Sequence, residues 1–199
     1  MYELAKGGWI MLPLALCSLL AVTVIIERFL FFRRISVTKL ADQALVLVAQ
    51  GRAGEAAKIL EASAKPLAKV LAAGIANRFA PAKAMEATAI AEISTMRKGL
   101  PILDTIITLS PLLGLLGTII GMINSFHIMA ASGLGEPHAV TGGGAEALIA
   151  TATGISVAVI ALIPYNYFAA RIERETEVIE HYSTRLELAL SVAPVKEVI

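Results

Sequence analysis

Apolar residues are concentrated in three long stretches of the sequence, separated by mixed, Ala-rich segments. A helix that crosses the hydrocarbon core needs ~20 largely apolar residues, and each stretch reaches that length. No alternating β pattern of any length is present. The pattern therefore predicts an all-α membrane protein whose transmembrane helices lie at 7–32, 102–126 and 146–170.

The lysines and arginines indicate how these helices are oriented. Segment 33–101 carries eleven of the 17 basic residues, whereas segment 127–145 carries none. Basic residues stay preferentially on the cytoplasmic side of a membrane. We therefore expect residues 1–6 and the loop 127–145 to be periplasmic, and 33–101 and the tail 171–199 to be cytoplasmic.

The cytoplasmic parts are expected to be helical. Between 38 and 100 the chain is Ala-rich and is interrupted at four positions that favour breaks, which predicts several short helices: Gly51, Gly54, Pro66 and Pro81. Two apolar stripes at helical spacing predict packing surfaces, one formed by Leu67, Val70, Leu71, Gly74, Ile75 and Phe79, the other by Ile172, Ile179, Tyr182, Leu186 and Leu190. Since only Pro101 interrupts the approach to the second span, we expect the second and third helices to continue into the cytoplasm.

Composition agrees with a membrane protein. The chain is 57% hydrophobic and 17% charged, against ~45–50% and ~25% in soluble domains. The formal net charge of +1 gives no sign of a nucleic-acid partner. The single cysteine, Cys17, cannot form an intramolecular disulfide, and no Cys/His spacing indicates a metal or cofactor site.

Small residues recur at helical spacing in the second and third spans. Such positions let helix backbones approach closely in lipid. We therefore predict packing roles for Gly114, Gly117 and Gly121 in the second span and for Gly154 in the third. Each span also contains a proline, Pro111 in the second and Pro164 near the end of the third.

Glu146 stands where the uncharged third span begins. An ionisable group at a membrane segment often marks an ion or proton path, although an acid near a helix start also interacts favourably with the helix dipole. Thr118 and Thr151 lie about two turns inside their spans, where a hydroxyl either lines a path or bonds its own helix backbone. Glu146 and Thr151 are about 140° apart around a helix, so they do not both face the same axis.

Three further candidates are weaker. Asp104, at the inner end of the second span, is interpreted as a first-turn acid, with a proton exit as the alternative. His127 and His138 are assigned to the outer loop without a partner at a suitable spacing. The Gly142–Gly144 run is interpreted as a flexible segment before the third helix and not as a phosphate cradle, because no strand precedes it and no lysine follows.

Three segments carry a resemblance to a known family. They read Ile-Glu-Arg-Phe-Leu-Phe-Phe-Arg-Arg at 26–34, Ser-Pro-Leu-Leu-Gly-Leu-Leu-Gly-Thr-Ile-Ile-Gly-Met at 110–122, and Ala-Glu-Ala-Leu-Ile-Ala-Thr-Ala-Thr-Gly at 145–154. With these segments the chain resembles the MotA/TolQ/ExbB proton-channel family, in particular its three-span ExbB/TolQ branch. The resemblance extends over nearly the whole chain.

The resemblance implies a homopentameric ring in the bacterial inner membrane, around a pore that holds two copies of a single-span ExbD/TolR-type partner. It implies that an intramembrane Asp of that partner is protonated and is surrounded by Thr118 and Thr151, and that Glu146 matches the family's third-span Glu. It also places Pro111 and Pro164 at family positions. Proton flow would drive relative rotation of the two rings and do work through a TonB-like or TolA-like protein.

Four functions are compatible with the sequence to different degrees. The first is a stator subunit, not an enzyme, that energises TonB-dependent outer-membrane uptake. The second is a TolQ-like role in envelope constriction, or a motor for surface motility. The third is a membrane scaffold that conducts no protons. The fourth, an intramembrane serine protease using Ser110 or Ser125 with His127, has no nucleophile-elbow pattern or supporting acid.

Overall fold

The computed structural model describes residues 8–33, 38–132 and 137–192, and this part of the chain contains helices and turns but no strand. The prediction of an all-α chain is confirmed. The predicted periplasmic segment 1–6 lies outside the described residues. The helices of the described part are α1 (Met11–Phe32), α2 (Thr38–Ala49), α3 (Ala53–Glu61), α4 (Pro66–Ala76), α5 (Pro81–Arg97), α6 (Leu100–Ser132) and α7 (Pro137–Val192).

Three segments of the described chain are long and apolar enough to cross a membrane. They are Met11–Phe32, Pro81–Ala130 and Gly142–Ser191, with mean hydropathies of 2.1, 2.1 and 2.2 over their most apolar windows. The first is α1, the second contains α5 and most of α6, and the third lies within α7. The protein is therefore a multi-pass membrane protein.

The chain divides into two compact units. The first unit consists of Met1–Arg28 and Gly99–Phe168, and the second of Phe29–Lys98 and Ala169–Ile199. Apolar side chains of α1, α6 and α7 are buried in the first unit, among them Leu14, Leu103 and Ala161. The first unit therefore holds the apolar parts of all three membrane-length segments.

The second unit contains the predicted short helices and the α7 tail. The α4 stripe is buried from Leu67 to Ile75 as predicted, but Phe79 is fully exposed, so its assignment to that stripe is wrong. The reason is that α4 ends at Ala76 and the backbone leaves the helix at Asn77, whose Oδ1 accepts the Ala80 N–H at 3.2 Å. The chain therefore turns before Phe79 can continue the stripe.

The α7 tail packs against α4 through its predicted stripe. Ile172, Ile179, Tyr182 and Leu186 are buried and Leu190 is partly buried. A Cβ built at Gly74 would lie 2.7 Å from Met85 Cγ and 3.3 Å from Leu186 Cδ2, so a larger residue at this α4 position would require these side chains to move. Apart from Phe79, the two predicted stripes are therefore buried, fully or in part, within this unit.

The second predicted span does not continue smoothly into the preceding helix, so that part of the prediction is wrong. The helix breaks at Lys98–Gly99, where Gly99 has a φ of +85° that favours glycine. Pro101 then lies in the first turn of α6, where its missing N–H costs nothing. By contrast α7 is continuous from Pro137 to Val192, in agreement with the prediction for the third helix.

The helices also extend farther into segment 127–145 than expected. α6 reaches Ser132, and α7 already begins at Pro137. His127 therefore lies on α6, and the Gly142–Gly144 run is helical and not a flexible segment. The predicted outer loop is correspondingly shorter, and the residues between the two helices lie outside the described part. The His138 side chain lies outside it as well.

Candidate functional site

The first unit is organised around a close approach of α6 and α7. Gly114, Gly117 and Gly121 of α6 face the backbone or small side chains of α7. A Cβ built at Gly114 would lie 3.0 Å from the Ala150 carbonyl oxygen, at Gly117 2.6 Å from Ala150 Cβ, and at Gly121 2.9 Å from Ala147 Cβ. Small residues are therefore required along this side of α6 at the observed helix separation.

α7 contributes two glycines to the same contact. A Cβ at Gly154 would overlap the Ser110 carbonyl oxygen and lie 3.1 Å from Gly114 Cα. A Cβ at Gly143 would overlap Ser125 Oγ, which itself donates a 2.9 Å hydrogen bond to the Gly121 carbonyl. The contact thus extends from Ser110 to Ser125 on α6 and from Gly154 back to Gly143 on α7. We call it the α6–α7 seam.

Both predicted prolines lie inside continuous helices. Pro111 is partly buried in α6, next to Ser110, which is fully buried. Because proline has no N–H, the helical bond to the Ile107 carbonyl is missing at this point of α6. Pro164 is partly buried in α7 and removes the corresponding bond to Ile160. Each helix therefore has one interruption of its backbone ladder.

The two threonines use their hydroxyls differently. Thr151 Oγ1 donates a 2.9 Å hydrogen bond to the Gly114 carbonyl and so joins α7 to α6 across the seam. Thr118 Oγ1 donates to the Leu115 carbonyl of its own helix at 2.7 Å. Bonding to the helix's own backbone is the ordinary behaviour of a threonine in a span. Of the two hydroxyls, that of Thr151 forms the hydrogen bond between helices.

Thr118 borders an open, largely apolar groove of about 490 Å³ beside residues 144–148 of α7. The groove is lined by Thr118, Met122, Gly144, Ala145, Ala147 and Leu148. Glu146 and Thr151 do not line it. This groove therefore brings Thr118 close to residues 144–148 of α7, but it does not include the other two predicted pathway residues.

Glu146 faces the chain just before α1. The side chain is partly buried, and a Cβ built at Gly8 would overlap its Oε1. Gly8 has a φ of +70°, so a side chain here would also be strained. The carboxylate is thus held where Gly8 leaves room for it. Sequence reasoning missed this contact, and the only available signal was the glycine pair that precedes the first apolar stretch.

The uncharged interior limits what this unit can do chemically. No Asp, Glu, Lys or Arg occurs in 105–135 or in 147–170. Asp104 is exposed and lies beyond the first turn of α6, contrary to its interpretation as a first-turn acid, because the helix begins at Leu100. His127 is exposed farther along α6. The described residues contain no metal-type cluster of His, Cys, Asp or Glu.

A buried arginine, Arg28, lies near the end of α1. Arg28 is 3% exposed at the end of the first unit's part of α1, and its Nη2 is 2.6 Å from Glu27 Oε1. A Cβ at Gly99 would come within 3.0 Å of Val24 Cγ1 and 3.9 Å of the Arg28 side chain. Gly99 therefore both breaks the helix and leaves space for this part of α1.

In the second unit, a polar contact joins α2 to the α7 tail. The buried Tyr182 hydroxyl donates a 2.8 Å hydrogen bond to Asp42 Oδ1, and the Arg185 guanidinium lies 5.3 Å from the Tyr182 ring centroid. Burial, together with the bond to Asp42, raises the pKa of Tyr182 above its usual range. Tyr182 lies outside the predicted span. Its hydrogen bond to Asp42 of α2 anchors the α7 tail within the second unit.

Comparison with known proteins identifies the family. The family model described as the MotA/TolQ/ExbB proton channel family matches residues 56–181. The chain belongs to this family. An ExbB-like biopolymer transport protein of Synechocystis sp. is 35% identical over 92% of this chain and 90% of its own length. A second ExbB-like protein of the same organism is 37% identical over 94% of this chain and 77% of its own length.

The TolQ members of the family are similar over a shorter region. The Tol-Pal system protein TolQ of Pseudomonas aeruginosa is 42% identical over 46% of this chain and 40% of its own length. The resemblance inferred from the three sequence segments is thereby confirmed at the level of the MotA/TolQ/ExbB family. The ExbB-like relatives cover more of the chain than TolQ does.

Proposed function

We propose that this protein is the ring-forming subunit of an inner-membrane proton channel that energises TonB-dependent transport across the outer membrane. The observation that carries this proposal is the uncharged interior of the first unit, with the partly buried Glu146 at one end. A proton that crosses ~30 Å of hydrocarbon needs a titratable group nearer the middle. This chain has none there, so a partner must supply it.

The partner required by this reasoning is a single-span protein of the ExbD/TolR type with an intramembrane carboxyl group. In the proposed assembly five copies of this chain form a ring and two partner copies stand in the pore. The ring supplies helical walls, the hydroxyls of Thr118 and Thr151, and Glu146 at the periplasmic end. The basic segment 33–101 is on the cytoplasmic side, consistent with the distribution of positive charge.

A TolQ-like function is the second candidate. It is favoured by the 42% identity to the TolQ of Pseudomonas aeruginosa over 92 residues. In that case the work is done through a TolA-like protein and maintains the envelope, and a motility motor is a further variant of the same mechanism. These functions differ in the work that is done at the outer membrane, whereas the proton chemistry is the same.

The proposed function is tested by substitutions of the pathway residues in cells that lack the wild-type gene. We expect Glu146→Gln, Thr118→Ala and Thr151→Ala each to reduce gradient-dependent siderophore import at unchanged membrane levels of the protein. Thr153→Ala is the matched control. Thr153 lies two residues after Thr151 on α7, and its hydroxyl donates a hydrogen bond to the Ile149 carbonyl of its own helix. It is expected to behave as wild type.

Import and detergent resistance are scored in the same strains. Loss of import with an intact envelope supports the ExbB-like function. Detergent sensitivity with normal import assigns the chain to the TolQ-like function. If all three variants retain both activities, the proton-path proposal is wrong and a non-conducting scaffold explains the protein better.

A further inference from the structure

The second unit contains an open groove between α5 and the α7 tail. Its volume is about 370 Å³ and its floor is apolar, with Ile90 64% exposed within it. Three exposed glutamates stand along its edges and belong to both helices: Glu86, Glu180 and Glu187. We call this feature the acidic groove. An exposed apolar floor with charges of one sign around it is typical of a surface that binds a partner.

The same unit presents a basic, aromatic tip in the turn between α4 and α5. Phe79 is fully exposed, and the neighbouring Arg78 is exposed and forms no hydrogen bond or ion pair within the described chain. The turn is ordered by the bond from the Ala80 N–H to Asn77 Oδ1. Arg and aromatic residues are enriched where proteins bind each other. We call Arg78 and Phe79 the tip.

We propose that the tip of one copy of this chain docks in the acidic groove of a neighbouring copy. Phe79 would cover the apolar floor, and Arg78 would lie among the glutamates at the edge. The two surfaces are complementary in both polarity and charge, and they lie at different places on the chain. A contact of this kind is heterologous, and repeated head to tail it forms a closed ring when the rotation between successive copies closes. The inference rests on the proposed ring but not on proton conduction.

The position of the tip along α5 agrees with this arrangement. The tip ends three residues before Ala82, which lines one end of the acidic groove. The side chains of Met85 and Leu186 lie 2.7 and 3.3 Å from a Cβ built at Gly74. Their sequence neighbours Glu86 and Glu187 therefore lie at this same end of the acidic groove. A rotation about an axis roughly parallel to α5 brings a neighbouring tip to the level of that end. Arg78 would then be opposite Glu86 and Glu187.

Cysteine cross-linking between two differently tagged copies tests the contact directly. Both copies carry Cys17→Ala, one with Phe79→Cys and the other with Glu187→Cys, and they are co-expressed in membranes. A disulfide needs Cα atoms within about 7 Å, so we expect an oxidant-dependent product that carries both tags. Val46→Cys replaces Glu187→Cys in the control, because Val46 is exposed on α2 in the same unit but does not line the groove.

Charge reversal tests the chemistry of the contact. We expect Arg78→Glu in the copy carrying Phe79→Cys to reduce the two-tag product at least several-fold. Glu86→Arg in the copy carrying Glu187→Cys should restore it. A two-tag product no stronger than the Val46→Cys control would overturn the docking proposal.

Native mass spectrometry and import assays separate this proposal from the proposed function. If the protein forms a ring and supports import but no two-tag product appears, the docking is wrong and the function stands. If the product appears but Glu146→Gln retains import, the docking stands and the proton path is wrong. Neither result depends on the other, because the cross-link is measured without a proton gradient.

Discussion

Gly154 is the position where the α6–α7 seam is most sensitive to one added methyl group. The Cβ of Gly154→Ala would overlap the Ser110 carbonyl oxygen and lie 3.1 Å from Gly114 Cα and 3.2 Å from Gly114 N. All three atoms belong to the α6 backbone, so no side-chain rotation relieves the overlap. The helices must separate, since carbon atoms prefer contacts of ~3.5–4.0 Å. That movement also weakens the Thr151–Gly114 hydrogen bond.

The size of the effect follows from two opposing contributions. Overpacking a well-packed interface costs about 1–3 kcal/mol. Replacing glycine by alanine within a helix recovers about 0.5–1 kcal/mol. Gly142→Ala is the matched control, because Gly142 is exposed on the same helix and a Cβ there meets nothing within 4 Å. The difference in free energy of unfolding between the two variants should therefore be about 1–3 kcal/mol, with Gly154→Ala the less stable.

Equilibrium unfolding in mixed micelles, followed by circular dichroism as the fraction of sodium dodecyl sulfate rises, measures this difference. We expect Gly154→Ala to unfold at a lower fraction of the denaturing detergent than the wild type, and Gly142→Ala at an equal or higher fraction. If both variants unfold at the same fraction, the backbones of α6 and α7 are not in the contact described here.

Two further predictions use hydrogen bonds of the two units. Thr151→Val should lower the free energy of unfolding by about 0.6 kcal/mol, which is typical of an interhelical hydrogen bond in a membrane protein. The loss should be larger than for Thr118→Val, because Thr118 forms no hydrogen bond between helices. Equal losses in mixed-micelle unfolding would contradict this prediction. Tyr182→Phe should remove a tyrosine that titrates above the ordinary pKa of a phenol in an ultraviolet alkaline titration, because burial and the bond to Asp42 raise the pKa of Tyr182. Since the folded state favours the neutral phenol, the stabilisation is present below pH ~10 and is lost as the pH rises through the raised pKa. If the tyrosine lost from the titration is one with an ordinary pKa, the assignment is refuted.

Much of the first unit was accessible from the sequence because its physical signals are local. Long uncharged stretches specify membrane-length helices whatever their neighbours are. Small residues at four-residue spacing likewise identify the side of α6 that contains Gly117 and Gly121. What the pattern did not contain is the register of one helix against the other. That register, with Gly114 opposite Ala150 and Gly121 opposite Ala147, depends on contacts between residues distant in sequence.

The errors have the same origin. Gly142–Gly144 was interpreted as flexible because glycine is a poor helix former, yet packing of Gly143 against Ser125 explains why a glycine is needed within a helix there. Phe79 has the correct spacing for the α4 stripe, but the helix ends three residues earlier. The helix is interrupted at Gly99, which has a positive φ, and not at the neighbouring Pro101. In each case a backbone or tertiary contact overrides the periodicity.

The hydroxyl hydrogens of Thr118 and Thr151 are already engaged, which limits what either residue can offer a carboxyl group of a partner. Each hydroxyl donates to a backbone carbonyl, at Leu115 and Gly114, and a carbonyl oxygen can only accept. Each threonine oxygen therefore keeps its lone pairs and acts as an acceptor. In the proposed assembly such acceptors stabilise the protonated form of a carboxyl group, and removal from water favours that form as well. The uncharged interior thus suits passage of a neutral acid, and proton exchange is left to the ends of the spans, where Glu146 lies.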